Sequence, residues 1–184
     1  MTSRTIASCV LLLVAVSALC VDGRQNPSQS FEKSCREFVQ EFYDWYMSRA
    51  LGKINRDPLG LALKYKRESF STTLAQGLEE VRAKEKADKD AGLDFDPILN
   101  TQDPGDPGDS YVASKVTRRG DTYTVELHGN LAQLKPQREP MVLAELKLED
   151  GKWIFINFHY PNSTSEQNEN LLNLIKNYLA LSSR

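Results

Sequence analysis

Histidine is scarce in this chain, present only as His128 and His159, and cysteine is little commoner, at three residues in 184. A zinc centre usually takes four such ligands at close spacing. Two histidines on different strands, with one or two distant cysteines, cannot supply them. No glycine-serine elbow raises a nucleophile, and no glycine-rich loop opens a helix to hold phosphate. Neither sign of charge dominates, with 23 Lys+Arg against 25 Asp+Glu. Nothing in that balance argues for nucleic acid or an anionic membrane surface, both of which usually need a clustered cationic patch. Internal repeats are also missing, and no apolar run reaches the roughly 20 residues of a membrane span. Asp103, Asp106 and Asp109 recur at every third residue, but a calcium loop needs alternating oxygen ligands and a terminal glutamate. No metal, cofactor, nucleic acid or integral membrane span is therefore expected.

What the chain does have begins at its start. Arg4 gives a short cationic end, Ile6 to Ala15 is apolar but for Ser8, and Val16-Ser17-Ala18 places small residues where a signal peptidase reads. Residues 1–18 are expected to be a secretory signal with its cut between 18 and 23, followed by a tether over 19–30 and one domain over 31–182. The expected location is secreted or periplasmic. Removing residues 1–18 takes away Arg4 and no acidic residue, so the net charge moves from −2 to −3. A cut after Ala18 keeps Cys20, which could pair with Cys35 in an oxidising compartment. A cut after Gly23 leaves Cys35 alone. Lipid attachment at Cys20 is disfavoured because Leu19 stands where a small residue is wanted.

Hydrophobic spacing divides the rest into helices and then strands. Phe31, Cys35, Phe38, Val39, Phe42, Trp45 and Tyr46 recur at intervals of three and four, so a helix is expected from Phe31. Asp57-Pro58 reads as an N-cap and first-turn proline of a short helix. Phe70, Leu74, Leu78 and Val81 make the buried stripe of a longer one over Glu68 to Asp90, its surface pairs being Glu80-Lys84 and Glu85-Lys89, with Gly92 at its end. From Tyr111 the period becomes two, and two hairpins turn at Arg118-Arg119-Gly120-Asp121 and at Asp150-Gly151.

The Asp150-Gly151 turn sets a register. Counting outward, Leu148 faces Trp153, Leu146 faces Phe155, Ala144 faces Asn157 and Val142 faces His159, all on one side. Leu143, Phe158, Met141 and Tyr160 fall on the other, which a C-terminal helix is expected to cover. That helix carries a Thr164-to-Gln167 capping box and the stripe Leu171, Leu172, Leu174, Ile175, Tyr178 and Leu179. Asn162-Ser163-Thr164 fits a glycosylation acceptor and serves equally as part of that cap. The fold class is α+β: N-terminal helices on a curved antiparallel meander of roughly four strands, plus a C-terminal helix.

The motifs Phe42-Tyr43-Asp44-Trp45-Tyr46, Phe95-Asp96-Pro97-Ile98-Leu99-Asn100-Thr101-Gln102-Asp103 and Asp150 to Pro161 resemble those of bacterial secreted proteins and lipoproteins catalogued as domain of unknown function number 3828. The resemblance covers most of Phe31 to Leu179. It implies the cone-shaped fold of nuclear transport factor two and the ketosteroid isomerases, a fold that hosts enzymes and binding modules alike.

On the register above, Asn157 and His159 would form the polar lip of a pocket beside Trp153 and Phe155. Asp94 or Asp96 could meet them there, and an Asp-His pair beside an apolar cavity is acid/base apparatus of the isomerase kind. The plainer role for Asp96 is a turn whose carboxylate caps a backbone amide. The expected ligand-binding set is thus Asp94, Asp96, Trp153, Asn157 and His159, with Asp96 and His159 as the catalytic candidates. Two functions follow. One is a non-catalytic binding module for an envelope or extracellular protein or a small apolar ligand, with a homodimer left open. The other is a small isomerase or hydratase with an Asp base and His159.

Overall fold

The structure, a computed structural model, describes residues 27–52, 57–87, 92–102, 106–132, 138–161 and 170–181. Its elements are α1 (Pro27–Ala50), α2 (Pro58–Tyr65), a 3-10 turn (Arg67–Ser69), α3 (Thr72–Ala87), β1 (Ser110–Arg119), β2 (Thr122–Asn130), β3 (Val142–Glu149), β4 (Lys152–His159) and α4 (Leu171–Leu181). The strands form one antiparallel meander in the order β1-β2-β3-β4. The fold is therefore α+β, helices first, then a four-stranded sheet, then a last helix.

Local chemistry accounts for most of the element ends. Asp57 caps α2 by accepting from Gly60 N at 2.9 Å, and Pro58 occupies the first turn, where its missing N–H costs nothing. Asp150 and Gly151 both have positive φ, 49° and 76°, the mirror-image turn that suits strand twist. α1 starts at Pro27, four residues before Phe31, so 27–30 belongs to the helix rather than to a tether. The helix expected over Glu68–Asp90 is interrupted: Phe70 leaves it to bridge Phe155 in parallel, and Ser71 N donates to Phe155 O at 2.8 Å. This short bridge, with a second between His159 and Asn170, covers part of the outer edge of β4. In place of the expected Glu80 partner, Lys84 donates to Leu179 O, and Glu85 accepts from Leu93 N. Lys89 and the Thr164-to-Gln167 capping box lie outside the described residues, and α4 is capped instead by Asn170, whose Oδ1 accepts from Asn173 N at 3.1 Å.

The inner face of the sheet and the helices enclose an aromatic core. Tyr43, Tyr46, Tyr111, Phe155 and Phe158 are all fully buried. Phe42 packs edge-on to both Phe70 and Phe155, at centroid separations of 5.5 Å and 4.8 Å. α4 lies close on α3 at Gly77, where an added Cβ would come within 2.9 Å of Ile175.

The β3–β4 register departs from the uninterrupted count at one residue. Glu149–Lys152 through Leu146–Phe155 pair as expected, but the next pairs are Glu145–Asn157, Ala144–Phe158 and Leu143–His159. Ile156 is an extra residue on β4, a bulge, and a one-residue slip moves every later side chain to the opposite face. Phe158 and Tyr160 consequently enter the core at 0% and 3% exposure, and His159 leaves the side of Trp153 and Phe155. A second bulge sets Ser114 and Lys115 against Glu126 on β2.

Candidate functional site

The turn that follows α3 is densely anchored by hydrogen bonds. Asp96 N donates to Thr101 O, Asn100 N donates to Asp96 O, and Asp96 Oδ1 accepts from Ile98 N at 2.8 Å and Leu99 N at 3.1 Å. Four tyrosine hydroxyls then grip consecutive residues: Tyr46 donates to Asp96 Oδ2, Tyr160 to Pro97 O, Tyr43 to Ile98 O and Tyr111 to Leu99 O, all within 2.6–2.8 Å. They come from α1, β1 and the end of β4, and Ile98 and Leu99 fill the core between them. Burial pushes the Asp96 carboxyl above its ordinary value, while the Tyr46 hydroxyl and the two amides pull it down. Burial likewise raises the hydroxyls of Tyr43, Tyr46 and Tyr111.

The other residues singled out from the sequence are dispersed. Asp94 is exposed. Trp153 donates from Nε1 to Ser34 Oγ at 3.2 Å and meets the Tyr123 ring edge-on. Asn157 serves α4, its Oδ1 accepting from Leu172 N and its Nδ2 donating to Asn170. Cys35 is a buried free thiol, pushed up to about 12 by burial, and Cys20 lies outside the described residues. Asp96 is thus held in the tyrosine cage, whereas His159 stands on the outer face of the sheet; the Asp-His pair that acid/base chemistry would use is not brought together.

On that outer face the register lays out a small grid. Thr117 faces Thr124, which faces Glu145; in the next row Glu126 faces Leu143, which faces His159. His159 Nε2 and Glu145 Oε2 are 3.0 Å apart, and Lys115 pairs with Glu126 at 3.3 Å. Thr117, Thr124, Glu126, Leu143, Glu145 and His159 line a groove of about 420 Å³ that reaches Arg119 at one rim and Pro161 at the other. Glu145 and His159 are about a third exposed or less, so their pairing is partly shielded from water. Lys147 and Asp121 pair nearby, which lowers the Asp121 carboxyl and raises the Lys147 ammonium. No cluster of three metal-ligating side chains occurs among the described residues.

Sequence reasoning missed Glu126 and Glu145, although strand alternation already placed both on the face away from Val125 and Leu146. It missed the tyrosine cage because the bonded partners are far apart in the chain, by 50 residues for Tyr46 and 55 for Tyr43.

Comparison with protein-family models, with curated protein sequences and with solved structures finds no match to this chain.

Proposed function

We propose that this protein is an exported, non-catalytic binding module, and that its ligand or protein partner is received in the outer-face groove at Thr124, Glu126, Leu143, Glu145 and His159. The observation that carries the reading is the separation of Asp96 from His159. The Asp96 carboxylate already accepts three hydrogen bonds, two from amides and one from Tyr46, and spends them holding its own turn. The groove, by contrast, is open and presents hydroxyls, two carboxylates and an imidazole with an apolar floor at Leu143, a composition suited to recognition. The apolar leader supports export, and the order of helices, meander and final helix supports kinship with the exported bacterial family and the cone-shaped fold named above.

The test is a small-fragment screen observed by amide NMR on labelled protein. Binding should move the amides of Thr124, Glu126, Leu143, Glu145 and His159, and Glu145→Gln should weaken it. Shifts confined to the Asp96–Thr101 turn would move the site to the inner face and defeat this reading.

A further inference from the structure

The basic run Lys64-Tyr65-Lys66-Arg67 meets Arg49 from α1 at one end of the helical layer. Arg49, in the last turn of α1, lays its guanidinium 4.2 Å from the centroid of the Trp45 ring, and the Lys66 ammonium approaches the same ring at 5.9 Å. Lys64 sits 4.9 Å over the ring of Tyr65, which is 58% exposed. Arg67 follows, bonded to Glu79 at 2.8 Å, with both side chains over 40% exposed. An ion pair that open contributes at most about 1 kcal/mol and exchanges readily, so Arg67 is not withdrawn from other anions. The neighbouring carboxylates are Glu68, Glu79 and Asp57, the last already paired with Arg82, against the four cations Arg49, Lys64, Lys66 and Arg67. Half-buried Leu61 lies one helical turn before Tyr65 on the same side of α2.

We propose that this patch docks the protein on an anionic lipid surface. Ammonium and guanidinium groups take lipid phosphates and carboxylates, and clusters of four to eight cations suffice for such attraction. Tyrosine and tryptophan are the side chains that settle at headgroup level, each with an apolar ring and a polar edge. The pairing of exposed Tyr65 with Leu61 adds apolar contact that a soluble polyanion would leave unused, which is why a lipid surface fits the patch better. The inference stands apart from the outer-face groove, which shares none of these residues.

Co-sedimentation of the full chain with vesicles of phosphatidylcholine alone, or with about a third phosphatidylglycerol, tests it. Arg4 and the apolar run Ile6–Ala15 are common to wild type and variants, so the change in the ratio of the two partition coefficients on substitution is the reading. Wild type should prefer the anionic vesicles by about tenfold or more at low salt and lose the preference at high salt. Lys64→Gln/Lys66→Gln should reduce the ratio by about tenfold, whereas Lys33→Gln, on the far end of α1, should leave it within about twofold. Lys64→Glu alone, at an exposed position, keeps the test intact should the double variant fold poorly. An equal ratio for wild type, or an unchanged one in the Lys64 and Lys66 variants, overturns the proposal. So does vesicle binding that is indifferent to Tyr65→Ser and fully displaced by heparin, an outcome that would assign the patch to a soluble polyanion.

Discussion

Asp96 combines two demands on one carboxylate: it must accept hydrogen bonds from Ile98, Leu99 and Tyr46, and it must do so partly withdrawn from water. Because burial raises its carboxyl above the unfolded value of 3.8, the folded protein holds the proton more tightly than the unfolded chain. Its favourable contribution is then complete below that value and declines as pH rises through the folded one. Thermal midpoints of wild type and Asp96→Asn should accordingly diverge between acid and neutral pH, with wild type losing ground to the variant on the neutral side; parallel curves would contradict the raised carboxyl. Asp96→Ala, which strands two amides and a hydroxyl, should cost about 2–4 kcal/mol at any pH. Phe155 and His159, four residues apart on one strand, make the sharpest contrast. Phe155→Ala should lose about 3–5 kcal/mol in denaturant titrations, as a fully buried ring must. His159→Ala should stay within about 1 kcal/mol, because its imidazole sits in a partly open groove.

At the scale of elements, the β4 bulge and the last helix depend on each other. Ile156 is the extra residue that turns Phe158 and Tyr160 inward, and Asn157 beside it carries the hydrogen bonds that begin α4. Asn157→Ala removes a cap and should cost about 1 kcal/mol, with faster hydrogen exchange confined to the first turn of α4. Uniform acceleration across β3 and β4 would instead mean that the bulge itself had been lost. Helix α2 was legible in the sequence because its cap and proline act within three residues. The break between Ser69 and Thr72 was not, because it answers to Phe155, a partner on a strand 85 residues away.

Taken as a whole, the molecule is braced by contacts of long range, and Cys35 reports on them. Its thiol is fully buried in the core and raised to about 12, so alkylation should proceed only through opening of that core. Peptide mass spectrometry of protein labelled across a denaturant series should show Cys35 modified in step with global unfolding. Rapid labelling under native conditions would show that α1 opens on its own.

What the sequence determined by itself is what short-range rules govern. These are the α+β order of elements, the buried stripes of α1 from Cys35 and of α3 from Leu74, the cap of α2, and the Asp150-Gly151 turn with the first four pairs beside it. The apolar run Ile6–Ala15 is equally a property of the linear chain. Only the tertiary structure decided the face on which His159 stands, because a bulge reverses side-chain parity and has no local signature at Ile156. Tertiary structure alone also closed four tyrosine hydroxyls on the Asp96 turn and gathered Arg49 with Lys64, Lys66 and Arg67. Hydrogen-bond partners and like charges that lie tens of residues apart are brought together by packing, and no periodicity within the chain encodes that meeting.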